Sequence, residues 1–154
     1  MPVSLHYNFN DLTRLQELGG RLSRKAGDTK SLMAAVATVL KRGTQDRFES
    51  KTTPDGRPWT SSLFKTGALK RKIIANYDKD KAEVGSNLKY AAIHQFGGVI
   101  KAKNAKCLHF LLNGQDVFAK SVKIPANPYL GISEADEMAV CQAAEAYLAE
   151  ELKW

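Results

Sequence analysis

The chain has only two cysteines, Cys107 and Cys141, and they form neither a CxxC nor a CxxH pair. That spacing argues against a disulfide framework or a cysteine-based zinc site and leaves both thiols to pack as small hydrophobes. Long apolar runs are missing too. The longest one at helical positions, Leu32 to Leu40, is nine residues and includes Thr38, well short of the ~20 that span a bilayer. The opening Met1-Pro2-Val3-Ser4-Leu5-His6-Tyr7 lacks the basic and apolar regions of a signal peptide. The expectation is a protein of a cytoplasm, or of something assembled there, without a membrane partner. Its three histidines, His6, His94 and His109, sit on different predicted elements with no carboxylate spaced to orient them. No GxGxxG, P-loop, HExxH or GxSxG occurs. Without a nucleophile and base, paired carboxylates, a metal set or a phosphate cradle, the expectation is a non-enzyme with no cofactor and no metal.

What the chain does have is ordinary globular composition, 44% apolar and 25% charged over 154 residues. That length suits one domain, 1–154, burying roughly 70% of its unfolded surface. The net charge of +7 is unevenly spread. From Ser133 to Trp154 six acids face one base, a net −5, whereas Met1 to Ile132 carries 22 bases against 10 acids, a net +12. A basic body with an acidic tail helix suits proximity to nucleic acid and equally suits head-to-tail docking between copies.

Periodicity predicts an α+β fold, a small antiparallel sheet packed against two N-terminal helices and a C-terminal helix. Val3 to Phe9 alternates as a strand, with His6 on the polar phase. Leu12, Leu15, Leu18 and Leu22 make a helical stripe behind Asn10 or Asp11, weakened at Gly19-Gly20. A second helix runs from Asp28 or Thr29 to Arg47 or Phe48, with Lys41, Arg42 and Arg47 expected on its outside. A loop follows at about 50–65, built on Pro54-Asp55-Gly56-Arg57-Pro58-Trp59. Trp59 either pins that loop to the body or stands out as a partner anchor. After Thr66-Gly67, Leu69, Ile73 and Ile74 fit helix or strand, and the later part of Lys70 to Tyr77 reads as a strand that forms a hairpin with Ala82 to Val84 round Asp78-Lys79-Asp80-Lys81. Later strands are expected at Val99 to Lys101, Cys107 to Leu112 and Val117 to Ile124, with a turn at Asn113-Gly114. The last helix has Ser133 and Asp136 as a capping box and Met138, Cys141, Ala143 or Ala144, Leu148 and Leu152 inward.

Two stretches stand out as candidate sites. In the first, one or two helical turns set Tyr90, Ile93, His94 and Phe96 close together between Gly85-Ser86-Asn87 and Gly97-Gly98. Glycines there supply positive-φ positions, so the block demands a fixed geometry. His94 and Gln95 are expected to satisfy backbone groups or a neighbouring subunit. In the second, Pro125 and Pro128 hold the chain extended while Tyr129-Leu130 supplies an apolar plug. Basic residues that could face DNA are Lys41, Arg42, Lys70, Arg71, Lys72, Lys101, Lys103 and Lys106, although no helix-turn-helix, zinc-finger or RNP pattern accompanies them.

An ordered set of segments resembles the phage virion morphogenesis family, the tail-completion proteins of Mu-like contractile-tailed phages. They are Phe48 with the Pro54 to Trp59 loop, Thr66-Gly67-Ala68-Leu69, Val84-Gly85-Ser86 leading into Tyr90 to Gly98, and Ile124 to Gly131. They span most of the chain. The chain departs from the family pattern at Asn127 and Tyr129, where Arg and Phe are common, and it is short between Trp59 and Thr66. The resemblance implies a non-enzymatic α+β protein that completes or terminates the tail at the head-tail junction. It also implies a virion location in the tail or neck after assembly in the host cytoplasm. As partners it implies further copies of itself, in a ring often of six, other tail or neck proteins, and DNA passing a basic lumen. Trp59, Tyr90 to Gly98 and Pro125 to Leu130 would then be structural cores beside a subunit interface. Sequence-independent DNA binding is the alternative.

Overall fold

The computed structural model describes residues 3–7, 29–60, 67–112 and 114–151. The expected Leu12 to Leu22 helix lies outside them. In order the elements are β1 (Val3–Tyr7), α1 (Lys30–Ser50), α2 (Ala68–Arg71), β2 (Ile73–Tyr77), β3 (Ala82–Ser86), α3 (Ala91–Phe96), β4 (Gly98–Lys101), β5 (Leu108–Leu112), β6 (Gln115–Ala119), β7 (Ser121–Ile124) and α4 (Glu134–Glu151). The fold is α+β, as the periodicity predicts.

One antiparallel sheet has the order β1-β3-β2. Its β2–β3 hairpin closes where the Asp78 carboxylate accepts the backbone N–H groups of Asp80 and Lys81, so the side chain replaces turn hydrogen bonds. Helix α1 crosses this sheet and also packs on α4. Leu32, Val36, Leu40 and Phe48 of α1 meet Ile73, Val84, Val140 and Ala144 in the core. Burying each such side chain contributes on the order of 1.5–3 kcal/mol. Helix α1 stops where Lys51 turns left-handed, φ 56° and ψ 43°, and donates to the Arg47 carbonyl.

The expected 117–124 strand is two strands. β6 pairs with β5 as a hairpin, whereas β7 pairs with β4, and the chain changes partner at Lys120. Met138 is 57% exposed rather than inward. Asp136 is buried against α1, and with 100° per residue this sets Val140 and Ala144 inward and turns Met138 outward. Arg47 is the other reversal: expected outside α1, it is only 5% exposed.

Candidate functional site

The end of α1 carries a dense, buried set of polar contacts. Arg47 Nε donates to the Tyr129 carbonyl at 2.9 Å and Nη2 to the Gly131 carbonyl at 2.8 Å and to Thr44 Oγ1 at 3.2 Å. Its Nη1 pairs with Asp136 Oδ2. Burying a guanidinium costs several kcal/mol unless its donors find acceptors, and here four acceptor atoms surround it. Asp136 serves twice. Besides Arg47 it accepts the Ser133 N–H at 2.9 Å, and its own N–H donates to Ser133 Oγ at 3.2 Å, which completes the expected capping box. The start of α4 is thereby locked to the end of α1. Gly43 makes this approach possible, since a Cβ there would overlap Asp136 Oδ1.

The segment after β7 is held by α3. Gln95 is buried, and its Oε1 accepts the N–H groups of Tyr129 and Leu130, each at 3.0 Å, while Nε2 donates to the Leu130 carbonyl at 3.0 Å. One amide thus satisfies three backbone groups of a buried stretch that belongs to no strand or helix. Tyr129 is fully buried, its hydroxyl donating to the Ala91 carbonyl at 3.2 Å, and burial pushes its phenol well above the usual range. Phe48 sits between two rings, with Tyr129 at 5.1 Å and Trp59 edge-on at 5.3 Å. Trp59 Nε1 donates to the Pro128 carbonyl at 3.2 Å, and Asn127 Oδ1 accepts the Thr60 N–H at 2.9 Å. Both Trp59 and Tyr129 therefore face inward, and the 50–60 loop is pinned to the body. Pro54 fits over Gly131, φ 159°, where a Cβ would overlap its ring.

The glycine pair does what its position predicts. Gly97 has φ 71° and ψ 178°, and a Cβ would stand 2.8 Å from the Ala126 backbone N. Gly98, φ 155°, would place a Cβ 3.4 Å from Ile93. This reversal brings Asn127 N–H onto the His94 carbonyl at 2.8 Å.

Not every expected site residue joins this junction. Phe96 is 68% exposed, and Tyr90 also lies at the surface, its ring edge-on to His94 at 5.7 Å. Pro125 is exposed and Pro128 half-buried. His94 Nδ1 is buried without a hydrogen-bond partner, and burial pulls its imidazole below the ordinary 6.5. Lys70 pairs with Glu49, whereas Arg71 and Lys72 are exposed at the α2–β2 step and Lys101, Lys103 and Lys106 along β4 and the loop after it. The sequence reading missed Arg47, Asp136 as its partner, and Asn127. It also missed the one His–carboxylate contact among the described residues: His109 Nε2 meets Asp116 Oδ1 at 2.5 Å, diagonally across the β5–β6 register, with His109 stacked on Phe118 at 4.7 Å. That cluster is exposed. Among the described residues no three His, Cys, Asp or Glu are grouped to hold a metal, and no helix is long and apolar enough to cross a membrane. The junction's polar groups are turned onto the chain's own backbone and onto one another, which fixes α1, α3, α4 and the segment after β7 together.

A profile of the phage virion morphogenesis family matches residues 10–149. The chain is 27% identical over 152 residues to the proposed capsid assembly protein G of Escherichia phage Mu, covering 86% of this chain and 87% of the relative. It is 29% identical over 148 residues to the Mu-like prophage FluMu G protein 2 of Haemophilus influenzae, covering 89% and 93%. No solved structure matches the chain at a significant level.

Proposed function

The chain belongs to the phage virion morphogenesis family, and we propose that it is a non-enzymatic assembly protein that completes the tail at its junction with the head. It works as several copies, arranged as a ring, against other tail or neck proteins of the particle. The observation that carries this reading is the family match over residues 10–149. The junction fits it, because Arg47, Gln95, Asn127 and Asp136 hydrogen-bond to internal partners and hold the segments that resemble the family together. Gold directed to an N-terminal tag on the protein would mark the head-proximal end of tails. Label on empty heads alone, or along the whole tube, would overturn the proposal.

A second reading, sequence-independent DNA binding, has one observation in its favour: the exposed Lys101, Lys103 and Lys106 on adjacent stretches of chain. It predicts retention of duplex DNA that falls steeply with salt, as released counterions dictate. No retention at low salt would remove it.

A further inference from the structure

The excursion from Gly98 to Ile124 is built of two separate two-stranded ribbons, β4–β7 and β5–β6. A lone pair of strands is marginal in water and needs something to cover a face. Among the described elements neither ribbon makes broad contact with a helix or with the three-stranded sheet. Val99 is 54% exposed and Phe118 65%, while Ile100 opposite Val122 and Phe110 opposite Val117 are incompletely covered. The same arm carries five lysines against one acid, Asp116.

The reverse face exists on α4. Its span has six acids and no base, of which Asp136 is committed to Arg47. Glu145 and Glu150 are exposed, and so are Met138, Ala146 and Ala149. An acidic surface with an apolar floor thus matches a basic arm with apolar crests in both charge and polarity.

We propose that the 98–124 arm of one copy docks on the outward face of α4 of a second copy, a contact that rests on the assembly reading above. The arm lysines meet Glu145 and Glu150, and the exposed Val99 and Phe118 cover Met138, Ala146 and Ala149 along the same helix. Because the two patches differ, each copy offers an arm and receives one, which propagates into a closed ring or an open fibre. The opposite charges steer the encounter and set the register.

The test uses the purified full chain in sedimentation velocity at low and high salt. One variant carries K101E, K103E and K106E, another E145K and E150K, and a third carries all five. All five positions are exposed, and matched thermal melts verify folding. Either charge-reversed set alone is expected to weaken self-association by about tenfold or more, and the combination to recover to within about threefold of the parent. Phe118→Ser, which alters no charge, is expected to weaken it as well. Self-association unchanged in both single sets, no recovery in the combination, or a parent that stays monomeric at every concentration would each overturn the contact. So would lysine reversals that abolish DNA retention while leaving self-association intact. A failed charge swap with gold still at the tail end would leave the assembly role standing. A working swap with gold elsewhere would sink that role and keep the contact.

Discussion

Arg47→Met is the sharpest probe of how this fold is held. Methionine roughly fills the aliphatic space but deletes four hydrogen bonds at once. The Tyr129 and Gly131 carbonyls lose their donor, and the Asp136 carboxylate, 4% exposed, loses its cation. Breaking a buried pair from one side costs about 3–5 kcal/mol, a large share of the 5–15 kcal/mol typical of a domain. At about 2–4 °C per kcal/mol for this chain length, Tm should fall by on the order of 6–20 °C. Arg47→Lys should not restore it, because an ammonium offers three donors from one point to four acceptor atoms spread around a plane. Arg47→Met combined with Asp136→Asn should cost less than the sum of the two single changes, since the buried anion disappears with its partner. Urea and thermal unfolding measure all three. A loss below about 1 kcal/mol for Arg47→Met would refute the claim that this pair organises the junction.

Other outcomes follow from the same contacts. Gly43→Ala, which in a helix interior normally gains about 1 kcal/mol, should lower the urea midpoint here because the new methyl meets Asp136; a gain would contradict the close approach. Gly97→Ala should destabilise more than Gly98→Ala, since the first meets fixed backbone at Ala126 and the second a side chain that can shift; the reverse order in thermal melts would refute this. His94 is held below its ordinary 6.5 by burial, so the unfolded chain binds that proton more readily. Its contribution is therefore intact above about pH 6.5 and falls as the pH drops through that value toward the lower folded pKa. His94→Gln should flatten the change in urea midpoint between about pH 7.5 and pH 5, and an unchanged slope would count against burial as the cause.

Local chemistry was the most legible part of the sequence. The Asp78 turn, the Ser133–Asp136 cap and the Gly97-Gly98 reversal each depend on neighbours in the chain, so their spacing announces them. Gln95 was expected to serve backbone groups or a neighbouring subunit, since no acids, thiols or glycine loop nearby suggested a ligand site, and it serves the backbone of Tyr129 and Leu130. What stayed hidden was tertiary. Arg47 looked like one more cation near a helix end, and only the arrival of α4 some ninety residues later makes it the hub of the buried junction. The same contact rotates Met138 outward, against the apolar stripe that periodicity drew. Val117 to Ile124 alternates as a single strand, and only the pairing of β4 with β7 breaks it at Lys120. The His109–Asp116 contact, too, needed the β5–β6 register before its spacing meant anything.

The central claim, that this protein finishes tails rather than acting on a substrate, is tested most directly by negative-stain images of particles from a strain deleted for it. Full heads and separate, unjoined or irregularly ended tails are expected, with normal particles restored by the intact protein supplied in trans. Normal tails joined to heads in the deletion strain would contradict it.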